Sequence, residues 1–361
     1  MKIVYLSPVP WSSMSQRPHY FIQYAFHAGI KEILWINPYP GRLPALQDLV
    51  PGRHAKEPVS RLELPNLYVE SVRPIIPIEP FNQLFQWVNN KSIERSVEII
   101  SNFKDENTVL VIGKPSLLGI KLSTSITWRQ VILDAMDNYP AFYTGLSSRS
   151  MLGIEEQMAK LADLILCSSH PLKTKFSYHE KKIQLCLNAC TNSFNTDKKN
   201  DKSYSNQPLT FGYVGTVASW FDWEWLVELA NLHPKNKIRI VGPLKTLKPR
   251  NLPTNIKFEK AISHDNVPRF LNEIDIGLIP FRVNEITRYV DPIKFYEYRS
   301  MGLAILATNF GEMAWHYANI TGEKKGYSIA LPKNSLYFPP SDIHPITWDM
   351  RFAEVFKNII I

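Results

Sequence analysis

A chain of 361 residues, 45% hydrophobic and 12% aromatic, carries enough apolar material for two α/β domains and too much for a disordered or low-complexity protein. Its formal net charge of +8 calls for an anionic partner. Because the lysines are scattered and no RNP, zinc-finger or helix-turn-helix pattern is present, an acidic membrane surface or a nucleotide ranks ahead of nucleic acid.

The three cysteines, Cys167, Cys186 and Cys190, are an odd number in apolar surroundings, so buried thiols are expected, with neither a disulfide framework nor a metal site. No apolar run approaches the ~20 residues that span a bilayer. The opening MKIVYLSPVP is broken by prolines before a signal-peptide core is reached. A cytosolic protein with peripheral membrane contact is the expectation.

Residues 2–6 predict a buried strand, followed by a turn over 7–15, a helix over 16–27 stopped at Gly29, and a second strand over 33–36. Ligands of such a βαβ opening sit beyond the strand carboxyl ends. The loop with Trp11, Ser12, Ser13 and Met14 therefore belongs to the candidate cleft. Arg17 and His19 behind it either contact an acceptor phosphate or sugar, or form a solvent-facing first turn. Residues 38–80 are proline-rich and irregular, with a strand candidate over 67–72. Phe81, Leu84, Phe85 and Val88, with Trp87 beside them, form an apolar stripe at helical spacing. It is read as core, the alternative being an interfacial helix whose basic residues face anionic lipid.

Three more short strands fall at 109–113, 131–134 and 164–168, with a helix over 150–161. Asp134 and Asp137 stand at the carboxyl end of the middle strand, where a doubly wound domain keeps its chemistry. A positioned carboxylate there can take a proton from a sugar hydroxyl; capping the next turn is the structural alternative. A strand over 183–187 closes the first domain, and the polar stretch 191–208 reads as a linker. A second βαβ unit opens at 209–214. Its turn, Gly212-x-x-Gly215-Thr216, lets backbone amides approach a phosphate, ahead of a helix over 223–232 capped by Ser219 or Asp222. Strands over 237–241, 256–258 and 274–281 follow, the last delivering Arg282, which either neutralises a diphosphate or makes a surface ion pair.

The stretch DPIKFYEYRSMGLAILAT, residues 291–308, joins a proline helix start, a glycine stop and a buried strand. Lys294 and Glu297 project from one face of that helix, offering a cation to a diphosphate and a carboxylate to a ribose diol; an ordinary surface pair is the alternative. Residues 346–357 form a last helix.

Pro292, Lys294, Glu297-Tyr298, a small residue, Gly302 and an apolar strand resemble the P-x-K-x-x-E-Y…G signature of GT-B nucleotide-sugar glycosyltransferases. The pattern is most similar to the bacterial branch building exopolysaccharide, teichuronic acid or lipopolysaccharide, which includes the xanthan glucuronosyltransferase. The resemblance runs over nearly the whole chain, strongest across 209–308 and weakest across 38–107. It implies an α/β fold of two Rossmann-like parallel-sheet domains facing across a cleft, with the last helix crossing back. Residues 1–190 with 345–361 would bind acceptor, and 209–344 the nucleotide sugar.

The implied reaction moves a sugar from a UDP-sugar to a hydroxyl of a lipid-linked or polysaccharide acceptor, on the inner face of the cytoplasmic membrane, with no metal and no cofactor. Asp137 matches the catalytic base, with Asp134 next. Gly215, Thr216, Ile262, Arg282, Lys294 and Glu297 would hold the donor, and Ser13, Arg17 and His19 the acceptor. Tyr289 stands where many retaining members carry a second glutamate, so inversion is expected. A nucleotide-sugar 2-epimerase and a non-catalytic partner protein share this fold and remain alternatives.

Overall fold

The computed structural model describes residues 1–13, 15–39, 64–74, 82–194, 208–319, 330–340 and 345–360. These divide into two compact units, one of residues up to 187 together with 349–360, the other of residues 188–348. Met14, Phe81 and most of the proline-rich and linker stretches lie outside the described residues.

In the first unit, strands β1 (Lys2–Leu6), β2 (Glu32–Asn37), β3 (Leu67–Ser71), β4 (Thr108–Ile112), β5 (Gln130–Ala135), β6 (Leu164–Cys167) and β7 (Ile183–Leu185) form one sheet in the order β3-β2-β1-β4-β5-β6-β7. Every described pairing in it is parallel. The central strands are near-continuous apolar runs, as a sheet covered on both faces requires. The connecting helices are α1 (Arg17–His27), α2 (Asn82–Phe103), α3 (Leu117–Ser125), α4 (Gly145–Leu161) and α5 (His170–Lys175). Ser116 caps α3 through the Gly119 amide, and Ser169 caps α5 through the Leu172 amide.

The second unit repeats the plan with β8 (Thr210–Val214), α6 (Trp223–Leu232), β9 (Lys237–Val241), β10 (Ile256–Glu259), α7 (Val267–Leu271), β11 (Ile276–Ile279), α8 (Ile293–Ser300), β12 (Ala304–Thr308), α9 (Gly311–Ala318) and β13 (Ser335–Phe338). Its strand order is β10-β9-β8-β11-β12-β13, with only β13 antiparallel to its neighbour among the described strands. Asp222 caps α6 through the Trp225 amide. Gly277 in β11 is required by α8, since a Cβ there would lie 2.3 Å from the Tyr298 ring. The last helix, α10 (Trp348–Ile360), belongs to the first unit, where Phe352 and Phe356 pack 5.3 and 5.1 Å from the Phe21 ring on α1.

The stripe expected to be core on α2 is turned outward in part: Leu84 is 49% and Trp87 79% exposed. Phe85, Asn89, Ile93 and Ile100 face inward instead. The buried face follows steps of four and seven residues from Phe85, which the compact 81–88 cluster does not reveal. The three cysteines are free and buried, and burial pushes the Cys167 thiol up to about 12.

Candidate active site

At the carboxyl end of the second unit's sheet, the turn after β8 is built on Gly215, whose φ of +140° disfavours any side chain. A Cβ at Gly215 would lie 2.6 Å from Lys294 Nζ, so the ammonium rests directly on that backbone. Gly242, after β9, is pressed as closely against Gly215, its hypothetical Cβ falling 2.2 Å from the Gly215 carbonyl oxygen. The Tyr213 hydroxyl donates to the Thr216 carbonyl at 2.8 Å and holds the turn. Lys294 Nζ stands 5.4 Å from the centre of the Tyr213 ring. Among the described residues it makes no hydrogen bond and no ion pair. Burial lowers the pKa of this ammonium, and the Glu297 charge opposes that shift.

Glu297, one helical step along α8, is 9% exposed. Its carboxylate lies 3.7 Å from His264 Nε2 and within electrostatic reach of the Lys294 ammonium. His264 follows Ile262 in the loop after β10 and packs edge-on against Phe194 at 5.4 Å. The pair is therefore not the ordinary surface Lys–Glu contact. The two groups face a shared end of the sheet and leave their strongest polar valences unused.

The start of α8 is fixed from behind. Asp291, fully buried just before Pro292, accepts from the Asn188 amide at 2.8 Å and the Tyr296 hydroxyl at 2.8 Å, and sits 3.1 Å from His316 Nε2. Asn188 Nδ2 also donates to the Asp291 carbonyl at 2.6 Å. Arg282 lies on an exposed loop after β11, tied by its amide to the Trp220 carbonyl at 2.7 Å. Among the described residues, no contact brings its guanidinium to Lys294. Gly242, His264, Asp291 and His316 carried no local sequence signal, because each acquires its role from a partner far along the chain.

In the first unit the two aspartates separate. Asp134 is fully buried and bound by Arg17: Nε lies 3.0 Å from Oδ1 and Nη2 2.9 Å from the same oxygen, while the Tyr5 hydroxyl donates to Oδ2 at 3.0 Å. Arg17 also donates to the Cys186 carbonyl at 2.8 Å. It is 4% exposed, so it is not a solvent-facing first turn. His19, 1% exposed, accepts from the Gln16 amide at Nδ1, which leaves Nε2 carrying the proton to the Trp11 carbonyl at 3.2 Å. Burial lowers its pKa and favours that neutral form. Ser13 donates to the Pro10 carbonyl at 2.7 Å. All three shape the loop after β1.

Asp137 differs. It is half-buried, and among the described residues it makes no hydrogen bond and no ion pair. Burial pushes its carboxyl up to about 7. A carboxyl near neutrality, unbonded at the carboxyl end of a parallel sheet, has the form of a general base. Among the described residues, no group of three or more His, Cys, Asp or Glu is placed to hold a metal ion. No described helix is long and apolar enough to cross a membrane.

No family model matches the chain. It is 24% identical over 208 residues to TuaH of Bacillus subtilis (strain 168), a protein assigned to teichuronic acid biosynthesis as a glycosyltransferase. That match spans 52% of this chain and 52% of TuaH, about half the length of each. Among solved structures, Anabaena HepE in complex with UDP and glucose superposes with a TM-score of 0.59 at 14% identity, covering 100% of this chain and 90% of HepE. Sucrose-phosphate synthase from Thermosynechococcus elongatus gives 0.60 at 13% identity, with the same coverage. By its two parallel-dominated sheets and these superpositions, the chain has the GT-B fold.

Proposed function

We propose that this chain is a glycosyltransferase that moves a sugar from a UDP-sugar to a hydroxyl of a glycan or lipid-linked glycan. The observation that carries the reading is Lys294 resting on the Gly215 turn with no hydrogen bond or ion pair among the described residues, one helical step from the buried Glu297. An ammonium and exposed turn amides suit a diphosphate, and a buried carboxylate suits a ribose diol. The HepE complexes with UDP and with UDP-glucose support a uridine donor. TuaH supports an acceptor of the surface-polysaccharide kind.

In this reading Asp137 takes the proton of the acceptor hydroxyl as that oxygen bonds to the anomeric carbon. The bond from that carbon to the UDP oxygen breaks, and Lys294 with the amides near Gly215 stabilises the leaving charge. Thr216, the loop at Ile262 and Arg282 complete the donor side. The reading takes Asp137 rather than Asp134 as base, supported by the hold of Arg17 and Tyr5 on the Asp134 carboxylate. Direct attack with one base inverts the anomeric centre and uses no metal. Peripheral contact with anionic lipid belongs to the same reading, supported by Leu84 and Trp87 exposed beside Lys91 and Arg95 on α2.

The test is a panel of nucleotide sugars screened against the purified protein for binding and slow hydrolysis, with Glu297→Ala alongside. A UDP-sugar is expected to bind and to release UDP. Glu297→Ala should weaken UDP binding by roughly tenfold or more. Equal affinity in the two proteins removes the ribose role, and an isomerised sugar without free UDP indicates an epimerase.

A further inference from the structure

The loop after β5 is tied down at every residue around Asp137 and not at Asp137 itself. Ser168 Oγ donates to the Met136 carbonyl at 3.0 Å, and Lys175 Nζ donates to Asn138 Oδ1 at 2.7 Å. The Tyr139 hydroxyl donates to the Gly113 carbonyl at 2.7 Å, and Ser148 Oγ to the Pro140 carbonyl at 2.9 Å. Lys175, the last residue of α5, is also ion-paired with Glu155 of α4, which is 2% exposed. Burying such a pair brings little stability, because desolvating two charges offsets their attraction and an apolar pair of like volume would serve as well. The hydrogen bond to Asn138 gives the lysine something an apolar residue cannot supply.

We infer that Lys175 and Asn138, with Glu155 fixing the lysine, are positioning residues for Asp137: they hold the loop so that this one carboxyl stays unbonded and sheltered from water. The inference rests on the reading of Asp137 as the base. A looser loop lets water reach the carboxyl, which weakens it as a base near neutrality and misplaces it relative to the hydroxyl. The other ionisable groups about the loop are Asp134, Tyr139, Tyr143, Glu155 and Lys175.

Lys175→Met alone would strand the buried Glu155, so the informative variants are Asn138→Ala and the charge-balanced Glu155→Gln/Lys175→Met. The measurement is a 13C-carboxyl NMR titration of the full chain, with Asp137→Asn identifying the signal. In the wild type that carboxyl should titrate near neutrality. In both variants it should titrate lower by about one pH unit or more, toward the ordinary carboxylate value. Release of UDP from UDP-glucose should then show a kcat lowered about tenfold with KM unchanged.

Signals unmoved from wild type in both variants overturn the inference, as does a wild-type Asp137 that titrates like an exposed carboxylate. If Asp137→Asn turns over as fast as wild type, the base reading falls instead, and the titration still decides whether the loop is clamped.

Discussion

At the carboxyl end of the second unit's sheet, Lys294 and Glu297 are desolvated yet nearly unpartnered, the ammonium on the Gly215 backbone and the carboxylate 3.7 Å from His264. At the same end of the first unit's sheet, Arg17, His19 and Asp134 are as deeply placed but satisfied from within, whereas the half-buried Asp137 makes no hydrogen bond or ion pair among the described residues. Burial therefore does not distinguish the two ends. What distinguishes them is which buried polar groups keep a partner among the described residues.

The sharpest way to break the contrast is Arg17→Met. It strands Asp134 as an uncompensated buried charge, for a cost of about 3–5 kcal/mol, read as a fall in Tm of roughly 10 °C or more. An unchanged Tm would mean that Arg17 is not scaffold.

Asp137→Asn should do the reverse, lowering turnover by roughly a hundredfold or more while UDP binding is kept. Its stability should change with pH in a definite sense. The folded carboxyl titrates at about 7, above its ordinary value, so the unfolded chain gives up this proton first and the fold loses stability as pH rises through that interval. The variant should thus melt higher than wild type near about pH 8, and the gap should narrow steadily on acidification and close only near about pH 4. Wild-type turnover should climb with pH through the same range. A flat profile, or a variant no more stable at the higher pH, removes Asp137 from the open set.

Gly215→Ala is expected to be the mildest. A side chain at φ +140° and 2.6 Å from Lys294 Nζ must strain the turn or move the lysine, weakening UDP binding by about tenfold. Unchanged affinity would detach the turn from the site.

The central strands were legible because they are short apolar runs, as in Ile3 to Leu6 or Val109 to Ile112, and that signal is local; the edge strand β13, SLYF, was missed because its short run lacks it. The α6 helix was legible in the same way, with Asp222 one of the two caps expected. So was the spacing of Lys294 and Glu297, which needs only one helical turn. What could not be read was which charges would find partners. Arg17 and Asp134 are 117 residues apart in sequence and meet only because β1 and β5 lie in one sheet. His264 reaches Glu297, and Gly242 reaches Gly215, by the same kind of non-local neighbourhood. The start of α4 at Gly145, ahead of the expected 150, was missed because Ser147, Ser148 and Ser150 show no apolar period and the turn is held by tertiary contacts instead.

The return of α10 to the first unit sets an order of events during synthesis. Residues 188–348 are synthesised while Phe21 and Tyr24 still wait for Phe352 and Phe356. Until α10 is made, the first unit therefore keeps an aromatic surface on α1 uncovered, which is where a holdase chaperone would find its target.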